Sequence, residues 1–259
     1  MEKILVAKGI PIVGGHLGRL VRIGSFGGLF FSGIGTVLIW AGSDSFGLPS
    51  AVWAVSILLN LAMFLATWVC YVPFRKTDNL LGHGILSIFI LFSFFWLFGY
   101  SMFFFYFLFS PIDLTTRVAV LVTVSTMLGY RVFLIFRDIK SVFEKNTGLF
   151  HTMYVKEGDN LTFTRDSVGY LERARPERSP FKSFHSYAAM VTTPFVLVLN
   201  RMLTPYAGDG HGIFIVLAFF SVPIMLWGVG VVVQTVVTMI CIPLKIWRQT
   251  GKHILLKDW

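Results

Sequence analysis

Acidic side chains are scarce in this chain, and none falls inside a long apolar run. Asp and Glu number 13 in 259 residues, and all charged types together make up 14% of the sequence, against about a quarter in an ordinary soluble domain. That composition excludes a soluble globular class. A missing intramembrane carboxylate also weakens proton-coupled transport and intramembrane aspartyl proteolysis, which commonly depend on one. Two cysteines are too few for a disulfide framework. Ten prolines and 24 glycines do not make a collagen-like or low-complexity chain. The sequence contains no Gly-x-Ser-x-Gly elbow, phosphate-binding loop, paired-cysteine motif, His-Glu-x-x-His pattern or visible internal repeat.

What is abundant is hydrophobicity, at 55% of residues with a mean hydropathy of +0.74. A hydrocarbon core about 30 Å thick takes roughly 20 helical residues to cross. Six apolar runs qualify as spans: 23–41, 51–73, 84–110, 118–136, a shorter run at 187–203, and 213–244. The expected fold is an all-α polytopic membrane protein of about six transmembrane helices with a small β-hairpin-containing cytoplasmic loop. The third run carries ten Phe between Phe89 and Phe109, which suggests a lipid-facing surface or a sheath around smaller helices. The last run would be roughly 48 Å long as one straight helix. Pro223 and the pair Gly228 and Gly230 are its expected hinge, and a re-entrant first half is the alternative.

Lys and Arg set the orientation. With the N-terminus inside, 19 of the 22 basic residues fall in the segments 1–22, 74–83, 137–186 and 245–259. The net charge of +9 therefore reads as a topology signal. It favours anionic headgroups on the inner face and requires no nucleic acid. The expected organisation is a cytoplasmic N-terminal segment (1–22), kept as an uncleaved anchor with the first span, then a four-span region (23–136). A cytoplasmic loop (137–186), a two-span region (187–244) and a cytoplasmic interfacial tail (245–259) follow. A compact chain without eukaryotic targeting signals leans towards a bacterial inner membrane.

In lipid, helices associate through small residues and polar contacts more than through apolar burial. Gly24, Gly28, Ser32 and Thr36 form a row at four-residue spacing, suited to packing on another span of the chain or on a partner subunit. Asn60, Arg131 and Gln234 are the polar residues inside spans. Interhelical hydrogen bonding is the reading for Asn60 and Gln234, and snorkelling to the interface for Arg131. Cys70 and Cys241 fall near inner span ends and are expected as free thiols. His211 with Asp209 is too small a set for a metal, and no cofactor is expected.

The loop 137–186 is long enough to need its own structure. Arg137 to Lys145 extends the fourth span as a helix. Thr152–Lys156 and Leu161–Arg165 read as a hairpin about the turn Glu157–Asn160, with Ser167–Leu171 as a possible third strand. So small a sheet must lean on something else. Beyond it, Arg173, Arg175, Arg178 and Lys182 form a basic, membrane-surface stretch. With no catalytic constellation, the expected function is that of a non-enzymatic subunit or interaction partner in a larger membrane assembly, such as a secretion or DNA-transfer apparatus, or of an immunity or exclusion factor. Its expected partner is another membrane protein or a second copy of the chain. An ion channel or small-solute transporter is the alternative.

Overall fold

The computed structural model describes residues 15–75, 77–157, 160–174 and 211–257, with positions 187, 198, 201 and 202. Helix dominates. In chain order the described elements are α1 (His16–Ser45), α2 (Ala51–Tyr71, prolonged by a 3₁₀ turn Val72–Phe74), α3 (Leu80–Phe109) and α4 (Leu114–Lys145). Next come α5 (Thr147–Met153), β1 (Tyr154–Glu157), β2 (Asn160–Thr164), α6 (Arg165–Ala174), α7 (His211–Thr250) and β3 (Ile254–Lys257). Five of these helices, α1, α2 with its 3₁₀ turn, α3, α4 and α7, are long and apolar enough to cross a membrane. The sixth apolar run, 187–203, lies outside the described residues apart from Tyr187, Val198, Arg201 and Met202.

Helix α3 is the central element, with α1 on one side and α7 on another. Helices α1 and α3 run in the same direction, because a Cβ at Gly24 would meet Ile90, one at Gly28 would meet Ser93, and one at Gly42 would meet Phe105. Helix α7 runs the opposite way: Gly84 faces Met239 at one end and Tyr106 stacks on Phe214 at the other, with centroids 5.7 Å apart. The later part of the Phe-rich run therefore turns inward, while Phe94 and Phe109 stay exposed, so the run is neither wholly lipid-facing nor wholly interior. Phe103, Phe105, Tyr106 and Phe107 are all buried; Phe103, Tyr106 and Phe107 pack with Phe214, Met225 and Leu226 of α7, and Phe105 with Ile39 of α1 and Trp96. Aromatic bulk belongs inside here because small residues of α1 face it and leave the volume to fill.

The small-residue row of α1 is spent within the chain, though on a slightly different stripe. From Ser25 onward the buried stripe runs Ser25, Gly28, Ser32, Gly35, Ile39 and Gly42, alternating steps of three and four. A strict four-residue row drifts around a 3.6-residue helix, whereas alternating steps hold one face. Gly28 and Ser32 lie on that stripe, and Gly24 and Thr36 sit at its edges.

Helix α7 is 40 residues long, about 60 Å at the usual rise. It passes through Pro223, Gly228 and Gly230 as continuous helix, so the re-entrant first half is not observed. Packing against α3 and α4 carries the helix through the proline, as neighbouring helices do for interior prolines in membranes. Helical type changes elsewhere, in a π segment at Val236–Cys241; α3 has its own at Trp96–Phe104.

At the end of the bundle marked by Leu17, Leu80 and Met239 sits the small sheet, in order β1-β2-β3. The expected hairpin is present, with Tyr154 opposite Phe163 and Glu157 opposite Asn160. Ser167–Leu171 is not a third strand. It lies within α6, where Val168 and Leu171, three apart, both pack into the core; helical period displaces strand period. The third strand comes from the tail, β3, parallel to β2 with Phe163 opposite Leu256. Helix α7 stops at Gly251, whose φ of 68° few other residues adopt. Ile254 and Leu256 are then buried by the sheet and bundle, so this part of the tail is occupied within the chain.

Gly84 tests this packing where α7 backbone itself comes close. A Cβ there would lie 2.8 Å from Met239 Cβ and 2.9 Å from the Met239 carbonyl oxygen. Gly84→Ala should cost about 1–3 kcal/mol, read as a lower unfolding temperature in mild detergent. Gly129→Ala, where a Cβ meets nothing within 4 Å, should leave it unchanged.

Candidate functional site

Two polar features lie within the helical bundle. The first joins α1, α2 and α3 at mid-height. On α1, Ser32 and Thr36 are one turn apart, as are Ser56 and Asn60 on α2, so the two helices present matching polar pairs. Asn60 Nδ2 donates to Thr36 Oγ1 at 2.9 Å and more weakly to the Ser32 carbonyl at 3.5 Å. Thr36 Oγ1 donates to the Ser32 carbonyl at 3.0 Å. Its only proton is thereby used, so in the 2.9 Å contact with Ser56 Oγ the serine is the donor. Ser56 in turn accepts from Trp96 Nε1 at 3.2 Å. The bonds run in one direction, from Trp96 through Ser56 and Thr36 to the Ser32 carbonyl. This is a closed interhelical clasp, and Asn60 is the interhelical donor expected of it.

The second feature is a cavity of about 550 Å³ near the sheet end, within the size range of small-molecule sites. Its walls are α1 (His16, Arg19, Leu20, Ile23, Gly24), α3 (His83, Ser87, Ile90, Leu91) and α7 (Val231, Gln234, Thr235, Thr238, Met239), with Val168 of α6. Gly24 and Gln234 thus share one cavity. His83 is buried, with Ser87 Oγ 3.4 Å from its Nδ1. Asp78 lies just outside the spans. Burial raises its pKa, partly opposed by the nearby His16 ring and backbone N–H.

The sheet is fastened to the bundle close by. Tyr154 Oη donates to the Thr238 carbonyl at 2.7 Å. Thr238 lies in the π segment of α7, where the shifted backbone pattern leaves carbonyls open to other donors. Burial raises the Tyr154 pKa and keeps the phenol protonated as the donor. Asn79 caps α3 through Leu81 N at 2.9 Å and bridges to Leu255, while Leu256 N donates to the Asp78 carbonyl at 2.7 Å.

The other expected residues are dispersed. Arg131 lies on α4, and its Nε is buried without a hydrogen-bond partner among the described residues. Pro223, Gly228 and Gly230 lie along α7, with Gly230 against Ile135 of α4. Arg173 belongs to α6; Arg175, Arg178 and Lys182 lie outside the described residues, as does Asp209. His211 stacks on Phe46 at 4.9 Å. Cys70 and Cys241 are free thiols. Among the described residues no cluster of three or more His, Cys, Asp or Glu could hold a metal.

Sequence reasoning missed Ser56 and Trp96 in the clasp, and His16, Arg19, His83 and Ser87 in the cavity. The matching four-residue pairs on α1 and α2 were the available signal for Ser56. His83 precedes the third apolar run by one position, where end residues are easily set aside.

The fold places the chain in the class of helical proteins whose long apolar helices suit a membrane. No protein family, curated protein or solved structure matches the chain.

Asn60→Leu and Thr36→Val, made singly and together, should show a coupling of about 0.6 kcal/mol, the usual size for an interhelical hydrogen bond in a membrane. Tyr154→Phe should cost about 1–3 kcal/mol by leaving the Thr238 carbonyl unsatisfied. Denaturant unfolding in detergent measures both.

Proposed function

We propose that the protein is a non-enzymatic integral subunit of a larger membrane assembly, gripped by its partner along α4. The observation that carries this reading is the composition of the exposed face of that helix. Thr115, Ala119, Thr123, Thr126, Gly129 and Tyr130 are exposed and, at 100° per residue, share one side with the exposed Val122 and Phe133. Gly129 has open space where a Cβ would stand. Small and hydroxyl-bearing residues favour helix contact over lipid. The exposed face of α2, with Val55, Leu58, Leu65, Val69 and Val72, has the aliphatic composition suited to lipid. A secretion or DNA-transfer apparatus, or an immunity or exclusion system, is the kind of assembly such a subunit would serve.

The topology within this reading has six crossings with both termini cytoplasmic, in a bacterial inner membrane. Leu171 packs with Leu17 and Leu80 at the sheet end, while His211 stacks on Phe46, which follows the far end of α1. An odd number of crossings between them fits, and 187–203 is the apolar run available. The positive-inside rule puts the sheet end in the cytoplasm, since Arg19, Arg22, Arg75, Arg137, Lys140 and Lys145 gather there.

A photoreactive amino acid at Thr126 should produce, in native membranes, an adduct heavier than the chain, whether with another protein or with a second copy. The same group at Leu58 should capture none. No adduct at Thr126, or an internal link to 187–203 alone, would contradict the proposal.

A further inference from the structure

The cavity between α1 and α7 has a polarity gradient along the bundle axis, and we infer from it a binding site for a single phospholipid with an anionic headgroup. Helices α1 and α7 both pack on α3 and leave a wedge beside it. Levels in the wedge can be read from α3, since His83 and Leu91 are separated by about 12 Å of helix. At the His83 level stand His16 and Arg19 of α1, Ser87 one turn further along α3, and Thr235 and Thr238 of α7. At the Leu91 level stand Ile23, Gly24, Ile90 and Val231. One end offers a cation and hydroxyl groups, Gln234 stands between the two levels, and the far end at Ile23, Ile90, Leu91 and Val231 is apolar.

That order matches a glycerophospholipid with its headgroup at the sheet end and an acyl chain reaching towards Leu91. Arg19 is exposed at the mouth, and a guanidinium suits a phosphate through paired N–H donors. Arg22 is also exposed one turn further on, its Nε donating to the Gly18 carbonyl at 3.2 Å. The carboxylate near the mouth, Asp78, is buried and does not line the cavity. An acyl chain would run along Ile23, Ile90 and Leu91, beside the point where Gly24 lets Ile90 pack closely on α1. A small polar solute would use only the upper half of this space, and a purely apolar one would leave Arg19 unmatched. Charge complementarity and the depth of the apolar half together favour the lipid.

The test uses the full-length chain in neutral detergent with phosphatidylglycerol carrying a photoactivatable group on its acyl chain. Phosphatidylcholine with the same group is the comparison lipid. Labelling should saturate near one lipid per chain and map to peptides containing Ile23, Ile90 and Leu91, or Val231. Arg19→Gln should reduce phosphatidylglycerol labelling roughly five-fold, as expected for one basic residue facing an anionic lipid, and change the weaker phosphatidylcholine signal by a smaller factor. Leu91→Trp, which fills the apolar half, should abolish labelling at those peptides. Arg248→Gln, a basic residue of α7 outside the cavity lining, serves as the control and should change nothing. Equal labelling by both lipids that ignores Arg19→Gln would overturn the inference, because that is how ordinary bilayer contact behaves. A photoreactive residue at Ile23 that captures residues 1–14 of the chain instead of lipid would overturn it as well. If Leu91→Trp lowers the unfolding temperature, Arg19→Gln with the two lipids decides the matter alone.

Discussion

In hydrocarbon an apolar side chain gains little by exchanging lipid for another helix, so α3 is held mainly where a missing side chain lets two helices meet closely. Gly28 and Gly35 of α1 admit Ser93, Leu97 and Ser101 of α3, and Gly84 of α3 admits Met239 and Ile240 of α7. Those approaches fix the rotation of three helices about their axes. With the rotations fixed, Trp96 points at Ser56 and the clasp with Thr36 and Asn60 closes. The same rotations bury the Phe-rich half of α3 against α7, and they leave the wedge in which Arg19, His83 and Gln234 converge.

The sheet depends on this arrangement in turn. Three strands of four or five residues could not stand alone in water. They persist because Tyr154, Phe163, Ile254 and Leu256 share a core with Leu17, Leu80, Ile139 and Met239 of the long helices. The Tyr154 hydroxyl reaches the π segment of α7. A change of helical type in the bundle and the position of a strand outside it are thereby linked through one hydrogen bond. The tail closes the unit, with β3 using residues from the last seven of the sequence to cover the open edge of the hairpin.

Hydrophobic run length revealed five of the helices, and the change to strand period after Met153 revealed the hairpin. Those signals are local, set by transfer to lipid and by alternation along a strand. The misjudged elements depend on neighbours. Ten Phe in α3 are as consistent with a lipid face as with an interior, until the packing of α1 and α7 on α3 is known. Ser167–Leu171 is short enough for either period, and α6 forms because Val168 and Leu171 find the bundle core. No local rule pairs Ile254–Lys257 with a strand some ninety residues earlier in the chain. For the candidate residues, Ser32, Thr36 and Asn60 were legible as polar or small groups in apolar runs, but their union required the rotations of α1 and α2. The cavity was the least legible feature, because its residues come from four elements and are apolar at the Leu91 end.

The register of α1 on α3 underlies the clasp, the wedge and the interior place of the Phe-rich segment, and disulfide trapping in native membranes tests it most directly. In a background with Cys70 and Cys241 replaced by serine, Gly28→Cys paired with Ser93→Cys should cross-link rapidly under mild oxidation, since the Cβ positions are in contact. Gly27→Cys paired with Ser93→Cys should not, because a Cβ at Gly27 meets nothing within 4 Å. Equal rates for the two pairs, or faster trapping from position 27, would contradict the account.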